Sequence, residues 1–227
     1  MKASLLCACL AISATAHAAP DTVVFDFTTD PAPRWNEPSQ DEATELLRRF
    51  PHPHAGGKTC DPNRPGTPAN QRMGGQLLPR ITTARAAITR TGAAQVVYLI
   101  DYCPTGVRVP RTRRLLVLDG TKVALDHELP SAIPADELLA TIDVDGDGRA
   151  ELVATTTADR GGRNVVVAYL VSTTAARDLR LLGTWTALEH CTPGTYPEQI
   201  MHRVTVAAGK FRDVASTQRC HYPPAGP

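Results

Sequence analysis

Leu138-Leu139-Ala140-Thr141-Ile142 is followed by Asp143-Val144-Asp145-Gly146-Asp147-Gly148-Arg149-Ala150-Glu151 and then by Leu152-Val153-Ala154-Thr155. An acidic, glycine-bearing loop thus lies between two short apolar segments rich in β-branched residues, which predicts strand–loop–strand. The same signal recurs on both sides of it. Strands are expected over 22–27, 81–90, 95–102, 113–118, 122–127, 138–144, 152–157, 164–172, 179–188 and 201–208, with a further one over 211–217. Thr91-Gly92, Asp119-Gly120, Gly161-Gly162 and Ala208-Gly209 punctuate them as hairpin turns. One helix interrupts the series. Ser39 and Glu42 have capping-box spacing, Asp41, Glu42 and Glu45 fall in the first turns, Arg48 and Arg49 in the last, and Pro51 stops it. Ala43, Leu46, Leu47 and Phe50 form its apolar stripe, the face expected to pack on the body. The expected fold is mainly β, built of antiparallel sheets with one short N-terminal helix.

Within the central loop, carboxylates stand at positions 1, 3, 5 and 9, with glycine at position 6 for a tight turn. Hard oxygen ligands in this pattern suit calcium (Ca2+), and an ion would relieve the repulsion among Asp143, Asp145, Asp147 and Glu151. An EF-hand would need a bidentate Glu at position 12, where Ala154 stands, and a helix on either side. Asp-Gly-Asp-Gly also forms ordinary turns in which aspartate side chains cap their own backbone, so both readings stay open on the residues alone.

The D-x-D-x-D-G pattern followed by an apolar strand resembles the calcium loops of FG-GAP and VCBS-type repeats, found in integrin-alpha-like β-propellers. It covers residues 138–172, one repeat unit. The resemblance implies Asp143, Asp145 and Asp147 as side-chain ligands, Arg149 as a carbonyl ligand and Glu151 in place of the final Asp. It also implies a structural role, with the ion clipping the turn between two strands. The strands after residue 80 suffice for about two or three four-stranded blades, so a partial propeller or a sandwich is expected rather than a closed ring.

The remaining composition narrows the function by exclusion. Lys plus Arg number 24 against 23 acidic residues among 227, so no global field exists to hold nucleic acid. Residues 1–18 read as a signal peptide: Lys2, an apolar run from Leu5, and Ala16-His17-Ala18 as the cleavage site. No segment is long and apolar enough to predict a transmembrane helix, and a secreted or periplasmic location follows. Removing the leader takes away Cys7 and Cys9 and leaves Cys60, Cys103, Cys191 and Cys220. In an oxidising compartment these predict two disulfides. Three pairings are possible, of which Cys60–Cys103 and Cys191–Cys220 each close a moderate loop around a predicted hairpin. The chain is expected to divide into the leader, a segment 19–79 with strand, helix and Pro/Gly-rich loop, and a β-rich domain 80–227 containing the loop 143–151.

Other candidates carry weaker patterns. His52 and His54, with His190, His202 and His221, offer transition-metal ligands; Arg108, Arg111, Arg113 and Arg114 offer an anion grip; Trp35, Trp185, Tyr169 and Tyr196 offer a sugar-stacking surface. Ser39, Ser131, Ser172 and Ser216 lie in no nucleophile motif. These readings predict an exported, disulfide-containing, calcium-binding β-rich protein, more plausibly a non-enzymatic module for a protein or glycan ligand than an enzyme. Two alternatives remain: a secreted hydrolase with a carboxylate or His–carboxylate site assembled from distant strands, and a protein inhibitor that neutralises an effector.

Overall fold

Apolar residues at alternate positions become two faces of one strand, and that rule organises this chain. The computed structural model describes residues 21–30, 35–51, 72–73, 76–77, 79–102, 112–174 and 178–220. The leader at 1–18, Cys60, Cys103, Arg108, Arg111, His52, His54 and His221 lie outside the described residues. The elements are β1 (Thr22–Asp26), α1 (Gln40–Arg49), β2 (Arg72–Met73), β3 (Gln76–Leu77), β4 (Arg80–Ala86), β5 (Gln95–Asp101), β6 (Arg113–Asp119) and β7 (Lys122–Glu128). They continue as β8 (Glu137–Ile142), β9 (Glu151–Arg160), β10 (Arg163–Thr173), β11 (Leu179–Glu189), β12 (Glu198–Ala207) and β13 (Lys210–Arg219). Among the described residues the fold is mainly β, with antiparallel sheets and a single helix, as the sequence predicts. Among the described residues no helix is long and apolar enough to cross a membrane.

Two sheets hold the body. The smaller is a four-stranded meander, β4-β5-β6-β7. The larger runs β8-β9-β10-β11-β12 and curls into a half-barrel, with β13 also paired to β12. Because β13 flanks β12 along its whole length, the other edge of β12 is shared: β11 takes Ile200 and Met201, and β1 takes Arg203 to Val206. The N-terminal strand is therefore part of the larger sheet. Within the 51–79 stretch, expected to be loop, β2 and β3 form a short antiparallel pair.

Three apolar clusters fill the layers. Val97 and Leu99 of β5 and Leu115 and Val117 of β6 face Leu152, Val165, Val167, Tyr169 and Val171 of the larger sheet. The even residues of β10, Val166, Ala168 and Leu170, point the other way, into a second cluster with Phe25, Phe27, Leu188, Met201 and Val204. Strand β10 is buried on both faces, which is why its sequence is almost continuously apolar. The third cluster lies under the helix, where Leu46 and Phe50 cover Ile81, Tyr98, Ile100 and Leu116.

The helix begins as predicted but uses Glu42 differently. Ser39 Oγ accepts from the Glu42 backbone N–H at 3.2 Å, the expected cap. The Glu42 carboxylate, however, accepts from Tyr98 Oη, tying the first turn to β5. Burial, helped by that bond, pushes the Tyr98 phenol up to about 12. At the other end, Tyr102 Oη donates to the Phe50 carbonyl at 2.7 Å.

Trp185 fills the wedge where β11 and β12 part, with ring centroids 6.1 Å from Phe25 and 5.2 Å from Phe211. Its indole lies over Gly183, where a Cβ would approach the ring to 2.1 Å. Gly183→Ala should thus lower stability by about 1–3 kcal/mol through overpacking, measured by urea denaturation. The Cys191–Cys220 disulfide, with a Cα–Cα distance of 6.2 Å, fastens the turn after β11 to the end of β13. Replacing both cysteines by serine opens a loop of sequence separation 29 and should cost about 3–4 kcal/mol in the same assay.

Candidate metal site

Strands β8 and β9 pair so that Ile142 stands opposite Glu151, and this pair forms the base of the acidic loop. The chain then folds back on its own carboxylates. Asp143 Oδ1 accepts from the Gly146 N–H at 2.7 Å, and Asp143 Oδ2 from the Gly148 N–H at 2.9 Å. Both glycines have left-handed backbone, with φ of 77° and 79°, which residues bearing a Cβ adopt only with strain. Asp145 Oδ1 accepts from the Asp147 N–H at 3.1 Å, and Glu151 Oε2 from the Val144 N–H at 2.9 Å. These are the side-chain-to-backbone turns that the Asp-Gly pattern allows.

The same folding brings carboxylates together. Asp143, Asp145 and Glu151 each present an oxygen, and the three atoms lie within 4.8 Å of one another. Oxygens so spaced can share one calcium ion, whose ligands stand at about 2.3–2.6 Å. Asp143 and Asp145 are exposed, whereas Glu151 is buried. Burial chiefly raises the Glu151 pKa, opposed by the Val144 N–H, and the neighbouring Asp145 charge raises it further. Ser172 Oγ donates to Glu151 Oε1 at 3.3 Å, so the buried carboxylate is braced from β10 as well.

One of the expected side-chain ligands is placed differently. Asp147 stands outside the convergent three, with its carboxylate turned to Arg149: Oδ1 accepts from the backbone N–H at 2.8 Å and Oδ2 from Nε at 2.9 Å. The guanidinium holds the Asp147 carboxyl below the usual range. Arg149 enters the site first as the counter-ion of Asp147, and its Nη1 also reaches the Thr173 carbonyl at 3.4 Å. Spacing alone conceals this arrangement, because alternate residues on a turn face each other only when the intervening backbone bends, as it does at left-handed Gly148.

Compared with known proteins, the chain matches no family model, no curated protein and no solved structure. The local geometry therefore carries the functional argument.

Across the sheet interface the loop is docked, not free. The Ala150 N–H donates to the Ala87 carbonyl at 2.7 Å and Thr91 Oγ1 to the Asp147 carbonyl at 3.2 Å. Both acceptor and donor on the far side belong to the segment between β4 and β5, which explains why β4 stops at Ala86 instead of running on to 90. There Gln95 Oε1 takes the Ile88 and Thr89 N–H groups and turns the chain.

The other candidates are dispersed. Among the described residues no further group of three His, Cys, Asp or Glu converges as these do. His202 Nδ1 pairs with Asp213 at 3.0 Å, and burial lowers the His190 pKa. Arg113 is paired with Asp136 and Arg114 with Asp126, at 2.7 and 2.6 Å. Tyr169 is in the inter-sheet cluster, Trp185 is in the β11–β12 wedge, and Tyr196 lies under Arg163 at 4.9 Å, so these three rings form no single surface.

Loop docking is testable through glycine. A Cβ on Gly148 would meet Thr91 Cγ2 at 2.6 Å, while one on Gly146 meets nothing, and both positions share the left-handed backbone. Gly148→Ala should cost about 1–2 kcal/mol more than Gly146→Ala in urea denaturation, and Thr91→Ser should recover much of that excess.

Proposed function

We propose that the loop 143–151 binds calcium as a structural clip in an exported, non-enzymatic β-rich module. The observation that carries the reading is the convergence of Asp143, Asp145 and Glu151, one of them buried. Bringing three carboxylates together costs electrostatic energy that a divalent cation converts into attraction, and all-oxygen ligation favours calcium over softer metals. The resemblance of the pattern to integrin-alpha-like calcium loops agrees with this, as do its strand flanks. Arg149 is bonded to Asp147 and acts on Asp145 and Glu151 only through space, so it ligates none of the three carboxylates as an ion would. Export rests on the leader pattern at 1–18 and on the Cys191–Cys220 disulfide, which suits an oxidising compartment.

At this location an ion acts by holding the β8–β9 turn, and through Thr91 and Ala150 it supports the junction of the two sheets. Extracellular calcium modules bind in the range of about 10⁻⁴–10⁻³ M. With a dissociation constant near 1 mM, 10 mM calcium should stabilise the fold by about 1.4 kcal/mol, read as a rise in Tm. Asp145→Asn should abolish that rise. Asp147→Asn should leave most of it, since Asp147 serves Arg149 and not the convergent group. A flat calorimetric titration at millimolar calcium would remove the metal reading.

A further inference from the structure

The far edge of the larger sheet is a long strand with few of the usual guards. Strand β13 pairs with β12 from Glu198↔Arg219 to Ala207↔Lys210 without a register shift, and among the described residues it pairs with no other strand. It is exposed at every position except Ser216, with Phe211 at 37% and Val214 at 46%. Natural edges are blunted by proline, by bulges, by shortness or by a run of charge. Here ten residues contain neither proline nor glycine, and the stretch Val214-Ala215-Ser216-Thr217-Gln218 carries no charge.

The hairpin turn sets which backbone groups point outward. Ala208 and Gly209 both have left-handed backbone, with φ of 49° and 73°, as a two-residue type I′ turn requires, so Ala207 and Lys210 exchange hydrogen bonds. Every second pair does the same, down to the Cys220 N–H, which donates to the Pro197 carbonyl at 2.9 Å. The alternate residues Phe211, Asp213, Ala215, Thr217 and Arg219 therefore aim their N–H and C=O groups away from β12. Strand β12 has the matching phase: His202, opposite Ala215, turns its carbonyl to the Phe27 N–H on its other side, at 3.0 Å. The Cys191–Cys220 disulfide holds the end of the strand, so the outward row is ordered before any partner arrives.

We propose that this edge receives the same edge of a second copy of the chain, antiparallel about a twofold axis at Ser216, with Asp213 opposite the partner's Arg219. An axis normal to the sheet keeps every residue on its own face, so only residues of the same face can stand opposite each other. With the axis at Ser216, Ala215 meets the partner's Thr217 and Asp213 meets the partner's Arg219. Every outward N–H and C=O from Asp213 to Arg219 then finds its complement. Charge favours this register. The Asp213 carboxylate lies 3.0 Å from His202 Nδ1 and its side chain stays 38% exposed, which leaves it room for a second cation. The symmetry makes that ion pair twice, and the uncharged stretch between the two residues sets no like charges against each other. A slip that put the axis at Asp213 would oppose the two aspartates. One edge buries less area than a standard interface, so the association is weak and concentration-dependent.

Sedimentation equilibrium of the full chain from about 1 µM to about 500 µM should show a monomer–dimer equilibrium. Amide exchange followed by NMR should show the N–H groups of Asp213, Ala215, Thr217 and Arg219 gaining protection as the chain is concentrated. Those of Val214, Ser216 and Gln218, already bonded to β12, should not change. Ala215→Pro removes an outward donor and no bond to β12, and should leave monomer alone. Arg219→Gln should weaken dimerisation on the order of tenfold. A chain that stays monomeric over the whole range overturns the proposal. So does a dimer in which the alternate amides gain no protection, or one that Arg219→Gln leaves as tight as before. The exchange measurement uses the wild-type chain and decides the question even if the proline variant does not fold.

Discussion

Strand β10 is the constraint from which the architecture follows. Its odd residues, Val165 to Val171, are committed to the core between the sheets, and its even residues to the core inside the curled sheet. A strand apolar on both faces has no stable position except the middle of a three-layer arrangement. One layer must come from another sheet, supplied by β4–β7, and the other from the larger sheet's own curl, closed by β1, β12 and the Trp185 wedge. The helix then covers the outer face of the smaller sheet, because Tyr98, Ile100 and Leu116 alternate with the residues that face inward.

The acidic loop owes its geometry to the same frame. Strand β9 is held by β10 along most of its length, so the register that sets Ile142 against Glu151 is fixed before the loop takes any shape. Glu151 is consequently buried at the loop's base, while Asp143 and Asp145 reach over it from the exposed side. Backbone N–H groups satisfy part of each carboxylate's hydrogen-bonding capacity, and the ionic problem of three neighbouring negative charges remains. The shape of the loop is thus set by hydrogen bonds to its own carboxylates.

Much of the fold was legible because its signals are local. Period-two alternation located β4 to β13 within a few residues, and the turn glycines separated them. Ser39 and the stripe through Leu46 and Phe50 defined the helix. What escaped the sequence is relational. Glu42 has capping-box spacing, but its partner is Tyr98, 56 residues away. Asp147 has ligand spacing, yet a short turn gives it to Arg149. The adjacent pair Asp136 and Glu137 looks like the polar end of a strand, and only the packing of one sheet on the other shows that both are buried. Of the loop, the sequence supplied the residue types and the left-handed glycines; which carboxylates converge depended on backbone direction.

The division of β12 between two neighbours also bears on how the fold is reached. Strand β1 pairs with β12, joining Thr22 to Val206 across almost the whole described chain. Such a contact has a large loop-closure cost and is rewarded only after the intervening hairpins have formed. The first strand in the sequence is thus among the last to gain its place. During synthesis β1 emerges long before β12 exists to receive it, so the half-barrel cannot close until β12 has been made.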